Sequence, residues 1–101
     1  VQISLVERSG QLSDAAKEYA REKAGKLAKY FDRLEVVEVI IAQQSQKYLV
    51  EMIAKTDHRQ TFVASEVHED VRASVDLVVD KMERQLVRHK ERLRNRKHPE
   101  G

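Results

Sequence analysis

Residues 36–65 read VVEVIIAQQSQKYLVEMIAKTDHRQTFVAS, and the fold turns on them. Three short runs rich in β-branched and aromatic residues, Val36 to Ile41, Tyr48 to Ala54 and Thr61 to Ser65, are separated by polar breaks at Gln43 to Lys47 and Thr56 to Gln60. Such side chains suit a pleated, half-buried surface, so the runs predict three consecutive strands. Side chains alternate between faces along a strand, which sets Val37, Val39, Ile41, Tyr48, Val50, Met52 and Ala54 on buried faces and turns Glu38, Glu51 and Lys55 outward. The breaks are short enough for hairpins. Neither contains the glycine of a tight turn, which leaves Asp57 or His58 to take a positive φ in the second.

Upstream, Val1, Ile3 and Leu5 alternate with Gln2, Ser4 and Val6, the period of a short first strand ending near Glu7 before the Ser9-Gly10 break. Ser13 suits a helix N-cap, with Asp14 in the first turn at the positive end of the helix dipole. Ala16, Ala20, Ala24, Leu27 and Phe31 then recur at helical spacing, predicting a helix with a small inner side that runs to about Arg33. Downstream, Val71, Val75, Val78, Val79, Met82, Leu86 and Leu93 form one stripe of a helix from near His68 to about Arg94, roughly seven turns. A sheet with strands of ordinary length covers only about five of those turns, so the C-terminal end should project or fray.

The order is therefore β-α-β-β-β-α, an α+β fold. The first helix serves as a right-handed crossover that makes the first two strands parallel in a four-stranded mixed sheet. Both helices pack on one face and the other is left largely to solvent. Residues 1–95 make the domain and 96–101 a flexible basic tail.

At 101 residues and 41% hydrophobic content the chain supports one core and no second domain. Cysteine is absent, which removes disulfides, thiolate metal sites and thiol nucleophiles. No apolar run approaches a membrane span and no secretion signal opens the chain, so a cytoplasmic protein without a membrane partner is expected. The net charge of +2 conceals a sharp reversal: Glu66, Glu69, Asp70, Asp76 and Asp80 stand against Arg72 alone, whereas Lys81 to His98 holds eight Lys or Arg against Glu83 and Glu91. A local cationic patch on a rigid element is what a phosphate backbone selects.

On the second helix Lys81, Arg84 and Arg88 share a face with Arg92 one turn beyond, and on the first Lys23, Lys26 and Lys29 are spaced by three with Tyr19 and Tyr30 among them. With the helices side by side, the two rows should converge on the groove between them. Any one of these cations is explained by solubility; seven held together fit a polyanion. Of the acids on the two helices, Glu18, Glu22, Asp76 and Asp80 fall outside the second row and only Glu83 and Glu91 stand within it in sequence, and the tyrosines suit packing at the core edge better than stacking on bases. A membrane-surface helix is disfavoured, because the stripe lacks Trp and Phe and the sheet needs it as core.

Ser65, His68, Glu69 and Asp70 cluster at a strand-to-helix junction, where capping by Ser65 or His68 accounts for them better than catalysis. No glycine loop cradles a phosphate, and His58, His68, His89 and His98 lack the spacing of a helical zinc pair. No catalytic residue, metal, cofactor or small-molecule substrate is expected. A double-stranded RNA module would lack the first strand, and an RNA-recognition-motif fold would end in a strand. A general structured-RNA module and a protein-interaction module acting through the second helix remain the alternatives. The latter would bind without regard to ionic strength.

The strings Lys26-Leu27-Ala28-Lys29-Tyr30-Phe31-Asp32, His68-Glu69-Asp70 and Asp80-Lys81-Met82-Glu83-Arg84-Gln85-Leu86 resemble the ribosome hibernation promoting factor family, also called the ribosome-associated inhibitor or sigma-54 modulation family. The resemblance spans nearly the whole chain and implies the same element order. It also implies a stress or stationary-phase protein in the mRNA channel of the small ribosomal subunit, over the decoding centre, that excludes tRNA and mRNA and silences translation without catalysis. The family's rRNA-binding positions fall on Lys23, Lys26, Lys29, Lys81, Arg84 and Arg88; Arg92 joins them from the row on the second helix. Two positions depart from the family pattern: Arg72 stands where an aromatic is frequent, and Thr56 to Gln60 lacks the usual glycine. The Lys29-Tyr30-Phe31-Asp32 ending resembles long-form members, of which this would be the N-terminal domain. Ribosome pairing would then need a C-terminal domain absent from this chain.

Overall fold

A computed structural model describes residues 1–57 and 59–97, with residues 95–97 taken by their backbone alone. The elements are β1 (Gln2–Ser9), α1 (Asp14–Tyr30), β2 (Leu34–Gln44), β3 (Lys47–Thr56), β4 (Thr61–His68) and α2 (Val71–Lys97). The sheet order is β1-β2-β3-β4, with β1 parallel to β2 and the other pairs antiparallel. This is the α+β arrangement expected from the sequence. Register aligns Ile3 with Val37, Val39 with Met52, and Met52 with Ala64, so one face of all four strands is apolar. Val37, Ile41, Val50, Met52 and Ala54 on that face are completely buried. Against them α1 sets Ala20, Ala24 and Leu27, and α2 sets Val75, Val78, Met82 and Leu86.

Local signals explain where the helices start and stop. Ser13 caps α1, its Oγ accepting the Ala16 N–H at 3.1 Å, with Asp14 in the first turn. The helix closes at Tyr30, earlier than the expected Arg33. Phe31 still donates its N–H to Leu27, but with φ −125° and ψ 88° it has left the helix, which lets Leu34 enter β2 buried. Position 68 is also corrected: His68 is the last residue of β4, paired with Tyr48, and neither it nor Ser65 caps α2. The cap is Asp70, whose Oδ1 accepts from Arg72 N at 3.1 Å and whose carbonyl accepts from Ser74 N. At its far end α2 reaches Lys97, two residues into the expected tail; the rest of that tail, 98–101, lies outside the described residues. Among the described side chains the last buried residue of α2 is Leu86, so its final turns extend past the sheet and stretch the molecule to 55 Å by 22 Å by 18 Å.

Both hairpins turn without glycine. Ser45 carries φ 59° in the first, and Arg59 carries φ 63° in the second, where Asp57 or His58 was expected; His58 lies outside the described residues. Gly10 is the position where glycine is required. Its φ is +82°, and a Cβ there would meet Gln43 Cβ at 2.5 Å. Gly10→Ala should therefore cost roughly 2 kcal/mol through backbone strain and a clash. Gly25, in α1, has only Ile3 Cδ1 near, at 3.8 Å. Gly25→Ala should stabilise by about 0.5–1 kcal/mol from helix propensity. Thermal midpoints of the two variants, moving in opposite directions, check both statements.

Beside that turn, Glu7 accepts the Leu12 N–H at 2.6 Å and lies 3.3 Å from Lys17 Nζ. The backbone hydrogen bond, with Lys17 assisting, holds its carboxyl below the usual value of 4.5. A depressed carboxyl stabilises the fold above its unfolded pKa and loses that contribution as pH falls through the folded one. Glu7→Gln should lower the thermal midpoint at pH 7, with the difference from wild type closing below about pH 4. A difference that does not change with pH across the acid range would assign the effect to packing instead.

Candidate nucleic-acid interface

The face of the sheet away from the helices is less polar than expected. Glu38, Glu51 and Lys55 do point outward, but Val36, Ile40, Leu49, Ile53, Val63 and Val67 share that side, and Val63 and Val67 are about half exposed. Its two central acids make it a poor place for a polyanion. The cations lie on the helix layer.

Lys23 projects from α1 toward α2. Its Nζ lies 3.4 Å from Asp76 Oδ1, the same oxygen that accepts the Tyr19 hydroxyl at 2.6 Å. The Tyr19 ring has Lys23 Nζ 5.6 Å from its centroid and the Arg72 guanidinium 5.2 Å from it. Arg72 thus meets an aromatic of α1. The bond to Asp76 raises the Tyr19 hydroxyl above its usual pKa, and the Asp76 charge raises that of Lys23. Tyr19 packs at the core edge, as expected, and its hydroxyl fastens one helix to the other. Tyr30 is mostly exposed.

The row on α2 occupies the opposite flank of that helix. Lys81 Nζ donates to Ser65 O at 3.2 Å and pairs with Glu66 at 2.6 Å, and Gln85 Nε2 donates to Val63 O at 2.9 Å. Lys81, Arg84 and Arg88 line a groove with Val63, Ala64 and Ser65 of β4. The expected convergence of the two rows between the helices does not occur, because α2 itself stands between them. The physical reason is the stripe: Lys81 and Arg88 fall on one side of the buried Val78-Met82-Leu86 line, and Asp76 falls on the other, facing α1. Lys81 and Gln85 also satisfy carbonyls of the edge strand, which protects β4 from pairing with another chain.

Acids of the same fold engage part of the set. Lys23 pairs with Asp76, Lys81 with Glu66, and Arg84 with Asp80 at 2.7 Å. The i, i+4 acid Asp80, outside the series in sequence, still reaches its second member. Lys26, Lys29, Arg88 and Arg92 have no ion-pair partner among the described residues. Ion pairs between exposed side chains contribute about 0–1 kcal/mol, so the paired cations stay exchangeable toward phosphate. The result is a cationic helix layer with two separate strips, and an acidic and apolar sheet face behind it.

Among the described residues no group of three or more His, Asp or Glu is placed to hold a metal. His68 is committed locally, its Nδ1 accepting the Asp70 N–H at 3.0 Å. Among the described residues no helix is long and apolar enough to cross a membrane.

Comparison with known proteins agrees with this architecture. The ribosome hibernation promoting factor of Azotobacter vinelandii is 34% identical over 92 residues, covering 91% of this chain and 85% of that protein. The protein of the same name from Escherichia coli K12 is 29% identical over 100 residues, covering 93% of this chain and 98% of its own length. Among solved structures, a ribosomal subunit interface protein from Coxiella burnetii superposes with a TM-score of 0.81 at 23% identity, over 90% of this chain and 99% of that one. The N-terminal domain of Protein Y from Thermus thermophilus gives 0.75 at 25% identity, over 88% and 99%. The sequence pattern of the family described as Sigma 54 modulation protein / S30EA ribosomal protein matches residues 3–94, and the chain belongs to that family.

Proposed function

We propose that this chain is a ribosome hibernation factor, which binds the small ribosomal subunit near the decoding centre and mRNA channel and keeps tRNA and mRNA out. It acts by binding and not as an enzyme. The observation that carries the reading is family membership over residues 3–94, joined to the strip Lys81-Arg84-Arg88 along a helix that extends past the sheet. Lys23, Lys26, Lys29, Lys81, Arg84, Arg88 and Arg92 are the proposed rRNA contacts.

Phosphate contacts supply affinity and little sequence readout, so the site is selected by the shape of the RNA surface. Two strips on different flanks suit contact with more than one rRNA segment, with α2 as the wedge between them. Occlusion needs only bulk: a rigid body up to 55 Å long, held by its cations, fills space that mRNA and tRNA require. The ribosome as partner places this work in the cytoplasm. On small subunits carrying labelled mRNA and tRNA, the chain should release both labels at one copy per subunit. Binding of the chain with both labels retained would refute occlusion.

A further inference from the structure

A second concavity lies apart from the groove of the cationic row on α2. It sits where the end of α1, the start of β2 and the last turns of α2 meet, and encloses about 550 Å³. Pockets that take small organic ligands span about 300–1,000 Å³. Its floor is Phe31, Leu34, Leu86 and Leu93, and its rim carries Lys90 and Arg94 against the carboxylate of Asp32, with Arg33 beside them already paired to Asp57 at 3.7 Å. Lys90 and Arg94 belong to neither row discussed above.

That combination defines its ligand. An apolar floor with an aromatic member accepts a flat ring, the surplus of cations accepts an anion, and Asp32 offers an acceptor to an amino group on the ring's edge. A nucleotide has all three parts. A hydrocarbon chain with a carboxylate has no donor for Asp32, and a bare phosphate has no use for the floor.

We propose that this cavity takes one unstacked nucleotide of single-stranded RNA, the base against Phe31 and the leucines and the phosphate between Lys90 and Arg94. The proposal rests on the reading of the chain as an RNA-binding ribosomal factor and adds to it a base-holding site at the far end of the helix layer. Base contacts of this kind tolerate any sequence, because every base offers a π-face.

The test is a set of NMR titrations of the full chain, observing methyl and aromatic signals. A single-stranded RNA hexamer should move the signals of Phe31, Leu34 and Leu93, while a duplex of the same length and inorganic phosphate move only those of the cationic side chains. Leu93→Glu should weaken hexamer binding about tenfold, the range for loss of one base contact, and leave duplex binding within about threefold. Leu93 is half-buried beyond the last fully buried turn, so the variant retains the fold, and Leu93→Ala should act in the same direction without the added charge. Hexamer and duplex both moving the cationic signals with the floor unmoved would overturn the cavity site and leave the ribosomal reading standing. AMP binding as tightly as the hexamer would overturn the RNA strand as its source, and decanoate binding more tightly than either would overturn the nucleotide. No response to any RNA would remove the ribosomal reading and this site with it.

Discussion

Replacement of Arg84, Arg88 and Arg92 together by glutamine is expected to lower affinity for small ribosomal subunits by about two to three orders of magnitude at about 0.1 M salt. The same variant should flatten the salt dependence by roughly two to three units, since each phosphate contact contributes about 0.7–0.9 to the slope. All three side chains are exposed, so the fold is untouched. Among the described residues Arg88 and Arg92 have no ion-pair partner to leave, and Arg84 gives up a surface pair with Asp80. Lys81 is omitted because its ammonium is divided between Glu66 and the Ser65 carbonyl, where its loss would also uncover the β4 edge. Titration of the triple variant against labelled small subunits measures both numbers. Affinity within about threefold of wild type would remove the α2 strip from the interface.

Met82→Ala should produce the largest change in stability, a loss of about 3 kcal/mol and a fall in the thermal midpoint on the order of 15 °C. Met82 is completely buried in the core that joins α2 to the sheet. Its thioether fills space that alanine leaves empty, and the all-apolar surroundings cannot be relieved by water. Because Met82 faces inward and the proposed contacts face outward, ribosome affinity well below the midpoint should stay close to wild type. A midpoint lowered by less than about 4 °C would mean that α2 is held by something other than this core.

The strands were readable because their alternation is local: Val37, Val39 and Ile41 against Glu38 give a face without knowledge of any neighbour. The same alternation puts Val36 and Ile40 on the other side, so an apolar outer face was present in the sequence but outweighed by Glu38 and Glu51. The start of α1 was legible because Ser13 caps it with its own side chain. The start of α2 was displaced because Val67 and His68 continue to pair with β3, a contact between segments that no local pattern reports. Arg59 took the positive φ because the register of β3 and β4, and not residue preference, decides which turn residue is bent back.

The site was legible in part. Spacing showed which cations share a face of α2. Which flank of the stripe looks toward α1 depends on helix direction and strand order together, and that joint geometry sends Asp76 to Lys23 and Lys81 to Glu66. The cavity beside Phe31 and Leu93 was invisible for the same reason: its walls come from three stretches far apart in sequence, 31–34, Thr56 and 86–94.

Co-sedimentation of the pure chain with small ribosomal subunits across a salt series tests the central claim most directly. Binding through phosphate contacts predicts a log-linear fall in affinity with slope of about 0.7–0.9 per contact, strong association near 50 mM salt and release near 500 mM. Association that stays constant across that range would contradict it and point to an apolar protein contact.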